Sequence, residues 1–179
     1  RAERFVLPYT CFRMISVSST QDSIALLASS PITPERALRL DFSAVELARA
    51  EDSDQPGVTM VDAGPAVRII RRTSTESLSA DQLSEGRPIQ WAGADGGVVH
   101  GNFYPPASER FDGVGLPPLI VHVHGGPTSQ APLAYAEEMQ FSATRGFAVL
   151  QVNHRGGTGH GKAYKDLPRL NWGAYDLLD

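Results

Sequence analysis

Two apolar runs that each end in glycines, with a helix-spaced segment between them, constrain this chain more than any other feature. The first is "PPLIVHVHGGP", where residues 119–124 lead into Gly125, Gly126 and Pro127; the second is "FAVLQVNHRGG", where residues 147–153 lead into His154, Arg155, Gly156 and Gly157. Between them Leu133, Ala136, Met139 and Ala143 recur at helical spacing, and Gly146 can end the helix. Continuous apolar runs of strand length suit a sheet covered on both faces. The spacing therefore predicts that 119–124 and 147–153 are neighbouring parallel strands, with a helix over about 133–145 as their crossover. Loops after the carboxyl ends of such strands are where α/β proteins bind ligands.

Glycine usage divides the chain. Of the 17 glycines, only Gly57 and Gly64 precede Gly86. The polar run "RRTSTESLSADQLSEG" closes the glycine-poor part, so the boundary is set at residue 83, giving an all-β part over 1–83 and an α/β part over 84–179. In the first part "CFRMISVSS", "SIALLASSP", "ERALRLDF" and "AVRIIRR" read as short strands. Turn-type residues at 20–23, 31–34 and 52–57 separate them, a pattern of sandwiches, barrels and propeller blades. At the head of the second part "RPIQWAGADGGVVHGNFYPP" reads as a hairpin turning at Asp95-Gly96-Gly97.

Totals exclude some partners. A net charge of -4 gives no electrostatic reason to expect nucleic acid or an anionic membrane. No apolar run approaches the ~20 residues of a membrane helix. The single cysteine, Cys11, permits no disulfide within the chain and fits a reducing, cytoplasmic setting. The chain starts at Arg1 and stops at "AYDLLD", which reads as the start of a helix, so both ends are expected to be cuts in a longer protein.

Three chemistries compete for the glycine loops. Gly156, Gly161 and Lys162 match G-x-x-x-x-G-K, but a phosphate loop then needs Ser or Thr to hold Mg²⁺, and Ala163 stands there, with Pro168 interrupting the helix that should follow. His122 and His124 share one strand face and, with His154 and His160, could supply metal ligands, but no carboxylate accompanies them. No metal or cofactor is expected. Nucleophilic catalysis in an α/β fold needs G-x-S-x-G after a strand. No serine here satisfies that pattern; Ser129 in "GGPTSQ" comes nearest in setting. What remains is the capacity of "HGGP" to present backbone N–H groups to a developing oxyanion, the plain alternative being a tight turn.

The order of motifs resembles the prolyl oligopeptidase family of serine peptidases, in its acylaminoacyl-peptidase and dipeptidyl-peptidase branch. The resemblance rests on His124-Gly125-Gly126-Pro127, then Asn153-His154-Arg155-Gly156-Gly157-Thr158-Gly159-His160-Gly161, then Trp172-Gly173-Ala174-Tyr175-Asp176. It implies an α/β fold: the N-terminal part of an α/β-hydrolase sheet, preceded by the last blade of a β-propeller. It implies a hydrolase acting on short peptides through an acyl-enzyme, with no cofactor. Gly126, or alternatively Gly125, would give its N–H to the oxyanion. His124 stands where some relatives carry a tyrosine hydroxyl. Asn153 and Arg155 would order the loops beside the site, or form a surface salt bridge. Trp172 and Asp176 would pack and pin the helix before the nucleophile, a structural role. The family's elbow serine, Asp and His all follow that helix, so no triad residue is assigned. The chain alone is expected to be inactive, and its missing partner is the remainder of its own peptidase domain. An esterase on the same scaffold and a non-catalytic interaction fragment are the rival expectations.

Overall fold

The computed structural model describes residues 2–44, 49–50, 58–62, 64–74, 79–108 and 113–179. Two compact units form, Arg1–Glu76 and Ser77–Asp179. The division falls inside the polar run that ends the glycine-poor part, and Ser84 is bonded within the second unit.

In the first unit β2 (Cys11–Val17), β3 (Ser23–Ser30), β4 (Thr33–Asp41) and β7 (Val67–Arg72) form a four-stranded antiparallel sheet in the order β2-β3-β4-β7. These are the four strands that the alternation predicts. Leu26, Ala28 and Leu38 form its buried core, with Tyr9, Ile24 and Val67 packed against them. A separate small sheet joins β1 (Ala2–Val6), β6 (Val58–Asp62) and β5 (Arg49–Ala50), with β1 and β6 parallel. The turn expected at 52–57 lies outside the described residues.

The second unit holds a mixed sheet in the order β10-β11-β9-β8. β8 (Arg87–Ala92) and β9 (Val98–Tyr104) form the expected hairpin, with Gly96 at φ +81° in its turn. β10 (Leu119–Val123) and β11 (Ala148–Asn153) pair in parallel, Val121 against Leu150. β11 pairs antiparallel with β9 on its other side. The crossover helix α1 runs over Glu137–Ala143, shorter than the apolar spacing predicts. Residues 133–136 precede the helix, with a bend at 133–134, yet Leu133 and Ala136 still pack on the core. The spacing at those two positions records burial rather than helix. That core is Tyr104, Met139, Ala143 and Val149, joined by Ile120. Burying each of the larger side chains contributes roughly 1.5–3 kcal/mol. Gln140, in the middle of α1, fastens the helix to the start of the unit: its Nε2 donates to the Ser84 carbonyl at 2.9 Å and its Oε1 accepts from the Ser84 N–H at 2.8 Å. Helix and sheet thereby hold the ends of β10 and β11 side by side.

Candidate active site at the ends of the parallel strands

The loops that leave β10 and β11 meet at the carboxyl edge of the sheet. Thr158 N–H donates to the Ser129 carbonyl at 2.7 Å, which ties one loop to the other. Asn153 completes the join. Its Oδ1 accepts from Ala131 N–H at 2.7 Å and its Nδ2 donates to the Ala131 carbonyl at 3.1 Å. Asn102, one strand over, donates to the same carbonyl at 2.9 Å. Both amides are buried.

Gly126 lies at φ +87°, a conformation that side-chain-bearing residues resist. A Cβ at Gly125 would meet nothing within 4 Å, and one at Gly126 only the Ser129 Cβ at 4.0 Å. Among the described residues no acceptor is bonded to the N–H of either glycine. Both glycines are exposed, so the turn leaves two backbone donors without a protein acceptor among the described residues.

His124 underlies this turn. Its ring stacks on His154 with centroids 4.4 Å apart, and its Nδ1 lies 3.2 Å from the Gly125 carbonyl. With the proton on Nδ1 that contact is a hydrogen bond, and Nε2, which is buried with no partner, carries a lone pair. Burial pushes the His124 imidazole below its ordinary pKa, and the neighbouring His154 adds to the fall. His124 is therefore neutral at neutral pH. His122 diverges from it, its Nδ1 lying 3.8 Å from Glu138 on α1. His160 also lies apart, stacked on His100 at 3.8 Å with the rings nearly parallel. Parallel rings do not converge their lone pairs on one ion, and no metal-holding cluster occurs among the described residues.

The first glycines of the loop after β11 have their donors committed. Gly156 N–H donates to the Tyr164 carbonyl at 3.1 Å and Gly157 N–H to the His154 carbonyl at 3.0 Å. Lys162 pairs with Asp166 inside α2 (Gly161–Asp166), a helix of six residues. The lysine of a phosphate loop is thus paired inside its own helix, and that helix is too short to carry a substantial dipole to a phosphate.

Arg155 is buried, 3% exposed, and its salt bridges run to Asp95 on the exposed β8–β9 turn and to the buried Asp179 side chain. Its Nη1 donates to Asp95 Oδ2 at 2.7 Å, its backbone N–H to Asp179 Oδ2 at 2.6 Å and its Nη2 to the Tyr175 carbonyl at 3.2 Å, while Nε bonds Asp179 Oδ1. The Arg155 guanidinium, followed by the Gly97 N–H, holds the Asp95 carboxyl below its usual range. Trp172 lies over Gly156, where an added Cβ would stand 2.5 Å from the ring. Asp176 Oδ1 accepts from Gly173 N–H at 2.7 Å. Residues 172–177 form consecutive turns rather than a helix, so Asp176 pins a turn. Spacing pointed to most of these residues; Asp179 and Gln140 carry no local signal, and Asp95 was legible as a turn residue but not as the partner of Arg155.

With that geometry in view, the model of the prolyl oligopeptidase family matches residues 133–179. A peptidase of Bacillus subtilis, YuxL, is 36% identical over 97 residues, which cover 54% of this chain and 14% of the relative. Dipeptidyl aminopeptidase BIII of Pseudoxanthomonas mexicana is 34% identical over 120 residues, 60% of this chain and 17% of its own. Among solved structures, a Mycobacterium tuberculosis puromycin-hydrolyzing peptidase superposes with a TM-score of 0.80 at 26% identity, covering 97% of this chain and 24% of the other. A puromycin hydrolase superposes with a TM-score of 0.78 at 28% identity, covering 97% and 23%. The chain therefore spans less than a fifth of these curated relatives and about a quarter of the solved ones. In motif order, in the matched segment and in fold, this chain is similar to peptidases of the prolyl oligopeptidase family.

Proposed function

We propose that the complete protein is a serine peptidase that hydrolyses short peptides through an acyl-enzyme, and that this chain supplies its oxyanion hole. The observation that carries the reading is the exposed Gly126 at φ +87°, whose N–H has no acceptor among the described residues, beside two parallel strand ends. A serine oxygen attacks the substrate carbonyl, a histidine takes its proton, and the negative charge on the tetrahedral oxygen meets that N–H. Gly125 is the alternative donor. The neutral His124 ring supports the Gly125 carbonyl without adding a charge that would hold an anion in the ground state. Asn153 and Arg155 order the two loops, and Trp172 and Asp176 hold the following turns.

On this reading residues 1–83 are the end of a β-propeller and 84–179 the start of an α/β-hydrolase domain. The nucleophile, base and acid lie in the remainder of that domain, so the present residues alone are inactive. Short peptides with a free or acylated amino terminus are the substrates that the names of the relatives suggest. No cofactor, nucleic acid or membrane takes part, and a cytoplasmic setting suits the lone Cys11.

The test compares this chain with its natural full-length protein, using aminoacyl and short-peptide nitroanilides and a serine-directed phosphonate. Turnover and labelling should be confined to the full-length form. Gly126→Pro removes the N–H and should lower kcat by ~10²-fold or more, in a variant whose circular dichroism shows it folded. Proline's φ near −65° conflicts with the observed φ, so the fold check is part of the test. A folded variant with unchanged kcat takes Gly126 out of the oxyanion hole. Preference for simple esters over amides would turn the reading towards an esterase.

A further inference from the structure

The turn between β8 and β9 is built around the chain segment that ends at Asp179. Gly93 and Gly97 flank it, and neither needs glycine for its backbone angles. What excludes a side chain is contact. A Cβ at Gly93 would stand 2.9 Å from the Leu178 carbonyl, and one at Gly97 would stand 2.6 Å from Arg155 Nη1. The turn also reaches for the same segment: Ala94 N–H donates to the Leu178 carbonyl at 2.7 Å and Trp91 Nε1 to the Asp179 carbonyl at 3.0 Å. Arg155 bridges the two sides, with Asp95 on one and Asp179, 1% exposed in its side chain, on the other.

The register places this turn at the functional end of the sheet. Asn153, last in β11, pairs with His100, near the start of β9, and the turn immediately precedes that start. We propose that the β8–β9 turn is a positioning element for the polypeptide that follows Asp179, acting through the Asp95–Arg155–Asp179 ion pairs, in which Asp95 reaches from the exposed turn to the buried Arg155 and the buried Asp179 side chain. The inference rests on the peptidase reading above, in which that polypeptide carries the nucleophile. A guanidinium fork bonded on both edges fixes orientation as well as distance. A turn remote in sequence thereby sets where the nucleophile stands relative to the Gly126 N–H.

Two variants of the natural full-length protein test this. Asp95→Ala removes one of these ion pairs, and Gly97→Val drives a side chain into the guanidinium. Kinetics are normalised to the number of sites titrated by the phosphonate, so a population that merely unfolds does not count. Misplacing a nucleophile by a fraction of an ångström should lower kcat per titrated site by ~10-fold or more, with KM little changed. Hydrogen exchange should show lost protection at the Ala94 and Arg155 amides in both variants. Asp95→Asn, which keeps an acceptor for Nη1, should recover part of the rate. Both variants at full kcat per titrated site would overturn the positioning role while leaving the peptidase intact. A wild type that the phosphonate does not label would remove the peptidase reading, and the positioning role with it.

Discussion

Gly156→Ala is the sharpest test of how the loop after β11 is held. The residue sits at φ +95°, and its missing Cβ would lie 2.5 Å from Trp172 Cη2 and 2.6 Å from Pro168 Cγ. Positive φ at a non-glycine residue costs about 1–3 kcal/mol. The overlap adds a second cost, because Pro168 is among the most deeply buried residues and cannot swing away as a long side chain would. Forcing one methyl into such a contact costs about 1–3 kcal/mol. Together the loss is about 2–6 kcal/mol. In a unit of ~100 residues each kcal/mol shifts Tm by about 4–8 °C, so Tm should fall by ~10 °C or more. Both tryptophans, Trp91 and Trp172, belong to the second unit, so intrinsic fluorescence follows that unit's unfolding alone. Gly113→Ala is the control, since a Cβ there meets nothing and φ is not positive; its Tm should not move. The double variant Gly156→Ala with Trp172→Ala should lose less than the sum of its parts, because the smaller side chain removes the nearer clash. A Gly156→Ala protein with an unchanged Tm, or strict additivity in the double variant, would refute the packing argument.

Local patterns gave the sheet of the second unit and long-range contacts gave its polar interior. β10, β11 and the hairpin turn at Gly96 follow from apolar runs and turn chemistry, which act over a few residues. The helix was readable only as a stripe: Met139 and Ala143 are on α1, whereas Leu133 and Ala136 reach the same core from the segment before it. Burial, which the pattern reports, does not specify backbone angles. Arg155 shows the larger limit. Its partners are Asp95 and Asp179, 60 and 24 residues away, so nothing near it in sequence says that its charge is matched inside the protein. Gln140 is similar, since its amide is satisfied by Ser84, 56 residues earlier. Gly93 and Gly97 look like ordinary turn residues, and only the approach of Leu178 and Arg155 explains them. The motif located the Gly125–Gly126 turn, whereas the lack of a bonded acceptor for either N–H among the described residues is a fact of three dimensions.

Two further predictions concern pH. Tyr104 is fully buried, its hydroxyl donates to the Ala134 carbonyl at 3.2 Å, and burial pushes its phenol up to about 12. Its stabilising contribution is present below the ordinary value near ~10 and is lost as pH rises from there towards ~12, by about 3 kcal/mol in total. Urea midpoints at mildly and strongly alkaline pH should diverge in the wild type and much less in Tyr104→Phe; equal divergence would refute the assignment. At the other end of the scale, burial lowers the pKa of His100, His124 and His160, with His154 adding to the fall at His124 and His100 to that at His160. Between each lowered value and the ordinary ~6.5, the unfolded chain binds more protons than the folded one, so stability is complete above ~6.5 and declines as pH falls below it. The stacks sharpen the expectation. A first proton on the His100–His160 pair meets a neutral ring 3.8 Å away, but a second meets a cation at that distance. Folded-state titration of the imidazole carbon-bound protons by NMR should therefore place all three histidines below the denatured-state value measured in urea. His124→Asn, which cannot be protonated, should flatten the acid slope of the urea midpoint. Imidazoles titrating at or above the denatured value, or an unchanged slope in His124→Asn, would show that these rings are solvated in the folded protein and that the neutral state assigned to His124 beneath the Gly125–Gly126 turn is wrong.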